Sequence, residues 1–224
     1  GLLLDLNEVY SKKNTLLAVD CTSSAPYVNL DFNYVDVALF SVQKGFGMPA
    51  GLGILVMSDE CLQKAKELES KGVVVGPYHS FSAMDGKMKS SQTVETPNIM
   101  AIYILGKVCE EFISYGLDKI RNEIKEKADM LYNYFDSQDK FPLALKDRRS
   151  PYLLILEAPN NSGIINYMKD NDIVIGTGYG ERKKDQLRIP NFFAHSKDDV
   201  EKLIKFFQKY QDWLCYIEKN KIDI

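Results

Sequence analysis

Residues 40–56 read FSVQKGFGMPAGLGILV: an apolar run, one lysine, a glycine-rich turn and a second apolar run. The first run extends back to Val35 as VDVALFSV, aliphatic and β-branched without helical spacing, as expected of a strand covered on both faces. LLAVDC from Leu16 and GLGILVMS from Gly51 read the same way. Glycines and Pro49 in GFGMPAG call for sharp turns, so Lys44 stands at the carboxyl end of a strand, on the rim of a sheet. A lysine at a strand end is ordinarily a solvated surface residue, and its neighbours decide whether this one is different.

Outward from this stretch the chain reads as two parts. After the third strand, DECLQKAKELESKG has helical composition and a glycine stop, which makes the first part an α/β layer. From Pro97 a long amphipathic helix is expected, with Ile99, Ile102, Tyr103, Gly106, Cys109 and Ile113 on one buried stripe and a break at Gly116. A second helix through Ile120, Ile124 and Leu131 runs to about Asp136. Strands follow at YLLILEA, IVIG and LRIPNFF, with a helix at IINYMKD. The last helix starts at Ser196, capped with Asp199, and buries Val200, Leu203, Ile204 and Phe207. The expected domains are residues 1–118, α/β, and residues 119–224, a smaller α+β unit. GLLLDLNEVYSKKN enters on what reads as the helix before the first strand. The first hundred residues hold too few strands for a well-covered parallel sheet, so an N-terminal portion is expected to be missing.

Composition narrows the chemistry. The 224 residues are 45% apolar and 26% charged with a net charge of -3, and the basic residues are scattered, so neither nucleic acid nor an acidic membrane is an expected partner. Apolar stretches are of strand length and the start lacks a basic leader, so a cytoplasmic protein is expected. Cys21, Cys61, Cys109 and Cys215 lie far apart, which suits reduced, mostly buried thiols rather than disulfides or zinc. Two histidines, His79 and His195, leave little for imidazole-based hydrolysis or metal chemistry. His195 reads as structural, a staple against Val200.

A rim lysine suits covalent attachment of an aldehyde cofactor such as pyridoxal 5′-phosphate, and that chemistry makes further demands. A carboxylate has to face the pyridine nitrogen; Asp20 ends the first strand as Lys44 follows the second, and parallel pairing brings both to the sheet's carboxyl edge. The phosphate needs donors, which Gln43 and Thr96 in VETPN can supply, while Ser23 and Ser24 can donate to cofactor or substrate or simply stabilise a turn. An amino-acid carboxylate wants a planar charged fork, and Arg188 in LRIPNF fits.

AVDCTSS, then SVQKGFGMPAGLG, then ETPN, then LRIPNF, in this order and spacing, resemble the class V aminotransferases of the type I pyridoxal-phosphate fold, in their phosphoserine aminotransferase-like branch. The resemblance covers the whole chain. It implies the C-terminal part of a large, mainly parallel-sheet domain followed by a small α+β domain, in a homodimer with sites at the subunit interface. It implies Lys44 as the Schiff-base lysine, Asp20 as partner of the pyridine nitrogen, Gln43 as a phosphate ligand, Thr96 as a ligand of the neighbouring subunit's phosphate and Arg188 as the carboxylate clamp. The implied activity is transfer of an amino group between an amino acid, phosphoserine among the candidates, and a 2-oxo acid. Alanine-glyoxylate or serine-pyruvate aminotransfer, cysteine desulfuration, and a catalytically incomplete fragment stand as alternatives. GTGYGERKKDQ stands where phosphoserine enzymes carry a His-Arg pair, and Glu95 stands where an asparagine or histidine often precedes the phosphate-binding threonine.

Two other motifs lead elsewhere. Ser41-Val42-Gln43-Lys44 matches S-x-x-K, but GFGMPAG cannot sustain the helical turn that acyl-enzyme chemistry needs. GTGYGE, residues 176–181, leads into RKKDQLRI, which reads as another strand, so no helix N-terminus is offered to a pyrophosphate.

Overall fold

The computed structural model describes residues 2–11, 14–138, 141, 143 and 148–220; Lys12 and Lys13 of the entering segment lie outside the described residues. These fall into two compact units, Leu6–Tyr115 and Gly116–Ile224, with Gly1–Asp5 belonging to the second. The entering helix, α1, is only Leu6–Tyr10; before it Leu2 is bridged to Arg149 and the Leu3 N–H donates to the Arg148 carbonyl at 2.6 Å.

In the first unit β1 (Ala18–Asp20), β2 (Val37–Ser41) and β3 (Gly53–Met57) form a sheet in that order. β1 and β2 are parallel, with Asp20 opposite Leu39, whereas β2 and β3 are antiparallel, with Ser41 opposite Gly53. The described sheet is therefore mixed. The chain turns straight back through residues 42–52, and a connection that short returns the next strand antiparallel. β3 is also more open than its composition suggests, with Leu55 and Val56 exposed. α2 (Asp59–Ser70) starts where the Ser58 hydroxyl accepts the Cys61 N–H at 3.1 Å and stops just before Gly72, at φ +85°. α3 (Phe81–Met88) is tied to α2 through buried Asp85, which pairs with Lys66 and Lys89, and through Ser80, which donates to Glu69.

α4 (Ile99–Tyr115) turns a different face to the core from the one its spacing indicated. Ala101, Leu105, Val108, Cys109 and Phe112 pack against Cys21, Val42, Phe46 and Met48. Of the expected stripe only Cys109 lies inward; Ile99, Ile102, Tyr103 and Ile113 are exposed, Ile99 by 71% and Ile113 by 72%. A helix apolar on more than one face has no single stripe to read, so its periodicity cannot say which face meets the sheet.

In the second unit α5 (Leu117–Asp136) follows Gly116, which sits at φ +99°. β4 (Leu153–Glu157), α6 (Ser162–Lys169), β5 (Gly176–Thr177), β6 (Gln186–Pro190) and α7 (Lys197–Asn220) complete it, with the strands antiparallel in the order β4-β6-β5. Alternation along the strands puts Leu154, Leu156, Leu187 and Ile189 into a core with Leu131, Phe135, Met168, Val200 and Phe207. Arg188, between Leu187 and Ile189, therefore points to the other face of the sheet. α7 opens with a reciprocal cap: the Ser196 hydroxyl accepts the Asp199 N–H at 3.1 Å, and the Asp199 carboxylate accepts the Ser196 N–H at 3.0 Å. Two expectations shift here. IVIG forms a strand only at its end, and RKKDQLRI begins inside a 3₁₀ turn, Gly180–Lys184, before β6.

The His195 ring lies against Phe192 and its Nδ1 accepts that residue's N–H at 3.2 Å; burial and the nearby Lys127 hold its pKa below the usual value, which keeps the accepting neutral form. Lys127 is itself buried, donating to the Phe192 carbonyl at 2.8 Å and to that of His195. Among the described residues no helix is long and apolar enough to cross a membrane. Cys21 and Cys61 are buried, Cys109 is half-buried and Cys215 is exposed, all with free thiols.

Candidate functional site

Asp20 and Lys44 reach one edge of the first unit's sheet because β1 and β2 are parallel and both leave the sheet there. The segments beyond the two strands are locked together. The Cys21 N–H donates to the Leu39 carbonyl at 2.9 Å, and the Ala25 N–H donates back to Cys21 at 2.7 Å, which folds residues 21–25 against the end of β2. Gly45 sits so close to this turn that a Cβ there would stand 2.2 Å from the Ala25 oxygen and 2.8 Å from the Tyr27 ring. Only glycine fits. Fully buried Tyr27 donates its hydroxyl to the Gly45 carbonyl. On the far side of the loop the Gly47 N–H donates to the Lys44 carbonyl at 3.0 Å, and the Met48 N–H to that of Val42 at 3.3 Å.

The two side chains differ in how they are held. The Asp20 carboxylate accepts the Thr22 N–H at 2.9 Å, and this bond, with a further contribution from the Thr22 side chain, holds its pKa below the usual carboxylate value despite some burial. It stays ionised at neutral pH. Lys44 is half-buried, and among the described residues its amine has neither a carboxylate nor a hydrogen-bond acceptor. Gln43 and Ser23 are exposed beside these groups; Ser24 donates locally to the Cys21 carbonyl at 3.3 Å.

Thr96 lies before α4 in the same unit, exposed and with no hydroxyl partner among the described residues. Its neighbour Asn98 caps the helix, accepting the Ala101 N–H at 3.1 Å. Exposed Glu95 stands beside it, its carbonyl bonded by the Thr93 hydroxyl. Arg188 belongs to the second unit, on β6. Its Nε–H donates to the Thr177 carbonyl, and its guanidinium lies over the Tyr179 ring, 3.7 Å from the centroid. Arg182 is committed to Glu157, which also accepts from Gln186 at 2.9 Å, whereas Lys183 and Lys184 are exposed.

Sequence reasoning did not single out Tyr27, Gly45 or Tyr179. In the sequence Gly45 reads as one of several turn glycines, although what it needs is closeness rather than an unusual φ. Nothing in the order of residues ties Tyr27 to a loop eighteen positions away.

The model of the family described as aminotransferase class-V matches residues 1–182. The phosphoserine aminotransferase of Nocardioides sp. is 27% identical over 211 residues, which cover 91% of this chain and 55% of the relative. Among solved structures, a phosphoserine aminotransferase from Cytophaga hutchinsonii superposes with a TM-score of 0.86 at 36% identity, covering 92% of this chain and 58% of that one. An alanine–glyoxylate aminotransferase from Nostoc sp. superposes with a TM-score of 0.77 at 22% identity, over 92% and 56% of the two chains, and speaks to the fold alone. The chain thus spans little more than half the length of the proteins it matches. With its α/β architecture, its mixed sheet and a family match over four-fifths of its length, the chain belongs to the class V aminotransferases and has their type I fold.

Proposed function

We propose that the intact protein is a pyridoxal-phosphate-dependent aminotransferase that exchanges an amino group between an amino acid and a 2-oxo acid. The observation that carries this reading is the parallel β1–β2 register, by which an ionised carboxylate and a half-buried amine, without a partner among the described residues, leave the sheet at the same edge. Ligands of open α/β sheets bind at that edge. The residues present suit the cofactor: Lys44 to engage its aldehyde, Asp20 to face its ring nitrogen, Gln43, Ser23 and, from a second subunit, Thr96 to donate to its phosphate. When bound, the group supplies an electron sink for the substrate's α-carbon.

Lys44 takes the proton from that α-carbon in one half of the cycle and returns one in the other. Asp20 holds its negative charge throughout, because the Thr22 N–H lowers its pKa. Arg188 fixes the substrate through the α-carboxylate, offering two parallel N–H donors. Phosphoserine is the proposed amino donor, supported by relatives of that name at 27% and 36% identity. The protein works as a cytoplasmic homodimer in serine biosynthesis; the exposed Ile99, Ile102, Tyr103 and Ile113 of α4 offer the apolar surface that subunit burial needs.

The test uses the intact protein loaded with pyridoxal phosphate, assayed with a panel of amino acids and 2-oxoglutarate. Turnover with phosphoserine, lost by about four orders of magnitude in Lys44→Ala, is the expected result. Undiminished turnover in Lys44→Ala removes the lysine's role; activity with other donors but none with phosphoserine removes that substrate.

A further inference from the structure

GTGYG, residues 176–180, matches a nucleotide-binding pattern in outline but leads into a single 3₁₀ turn of five residues, so it offers no helix N-terminus to a pyrophosphate. Its geometry is directed instead at one side chain. Gly176 is paired across the sheet with Arg188, and a Cβ on it would stand 3.3 Å from the Arg188 carbonyl oxygen, 3.4 Å from its Cβ and 3.6 Å from its Nε. Gly176 thus lies directly against the backbone and the side-chain stem of the arginine. Thr177 then presents its carbonyl to the Arg188 Nε–H. At Gly178 a Cβ would meet the Arg182 carbonyl at 2.3 Å, so glycine lets the next turn close and carry Tyr179 under the guanidinium, 3.7 Å from ring centroid to Cζ. Tyr179 does this while 71% exposed, a position where burial of the ring gives no reason for an aromatic residue.

We infer that Tyr179 is a positioning residue for the carboxylate clamp, an inference that rests on the role proposed above for Arg188. A guanidinium has five N–H donors. Thr177 consumes the one on Nε, and the tyrosine face fixes the plane. The four donors on the two terminal nitrogens have no acceptor among the described residues. Only the end of the fork remains for a ligand, and two parallel N–H bonds from that end match the two oxygens of a planar carboxylate. Left to rotate, the same side chain would offer several edges and lose orientation on binding; stacking on an aromatic face removes that freedom beforehand.

The inference predicts selectivity for the carboxylate rather than general loss of activity. In the intact holoenzyme, the amino donor found active in the panel is compared with the amine that lacks its α-carboxylate; for phosphoserine this is phosphoethanolamine. Tyr179→Ala is expected to raise KM for amino acid and 2-oxo acid about three- to thirty-fold, leave kcat within about twofold, and lower the preference for acid over amine by the same factor as KM. Tyr179→Phe keeps the ring face and is expected to behave as wild type within about twofold. Arg188→Ala is the control. If it abolishes the preference while Tyr179→Ala leaves it unchanged, or if Tyr179→Phe is as impaired as Tyr179→Ala, the positioning role of the ring is overturned. If Arg188→Ala itself leaves the preference intact, the clamp assignment falls and the inference falls with it.

Discussion

The two units spend their apolar residues differently. In Gly116–Ile224 the helices and strands turn them inward, so that Phe135, Leu154, Leu156, Leu187 and Phe207 are each 1% exposed or less. In Leu6–Tyr115, which carries Lys44 and Asp20, β3 and α4 leave Leu55, Val56, Ile99, Ile102, Tyr103 and Ile113 exposed. The first pattern is that of a closed core; the second is a core on one side and an unpaired apolar surface on the other, of the kind that other protein surfaces cover. The contrast teaches that the half bearing Lys44 and Asp20 is the half whose packing is least complete within these 224 residues.

The most damaging test of that contrast is a pair of truncations in the 224-residue chain. Phe207→Ala opens a cavity in the closed core and is expected to cost about 3–5 kcal/mol, read by urea unfolding through Trp213, the only tryptophan. Ile102→Ala, on the open face of α4, should stay within about 0.5 kcal/mol by circular dichroism. Comparable losses at the two positions would mean that the units do not differ in the way described.

A second substitution sharpens the comparison inside the open unit, where order is concentrated at the loops rather than the faces. Gly45→Ala forces a Cβ against the Ala25 carbonyl and the Tyr27 ring and is expected to cost about 1–3 kcal/mol and to weaken cofactor uptake by the intact protein. Wild-type stability and cofactor absorbance in this variant would show that the two loops are not locked at that point.

The smallest effect lies in the closed unit and shows as a change with pH only in the alkaline range. Tyr132 donates its hydroxyl to the Ser150 carbonyl at 2.7 Å, and burial pushes its pKa up to about 12. The folded state thus holds this proton where the unfolded chain, near pH 10, has begun to release it. Its contribution is fully present below about pH 10 and is lost as pH rises through about 12. Tyr132→Phe should flatten stability over that window; an unchanged alkaline slope would assign the loss to other groups.

How much of this could be read beforehand follows from the range of the interactions involved. α2, α5 and the Ser196–Asp199 cap are set by residues within a few positions of one another, and each forms where its pattern indicates. That Asp20 and Lys44 follow their strands to the same sheet edge needed only two strands and the assumption that they run parallel. What escaped depends on partners distant in sequence. β3 looked covered because composition reports apolarity and not what lies opposite, and α4, apolar on several sides, gave no unique inward face. The Tyr27–Gly45 lock and the Tyr179–Arg188 stack join side chains to loops through space, so neither leaves a periodic trace.

The proposed chemistry turns on Lys44 as the amine that engages the cofactor's aldehyde. The intact protein, loaded with pyridoxal phosphate, treated with borohydride and mapped by peptide mass spectrometry, tests it directly. A phosphopyridoxyl group is expected on the peptide containing Lys44 and on no other. Its appearance on a different lysine, or an unmodified Lys44 in protein that still turns over, would contradict it.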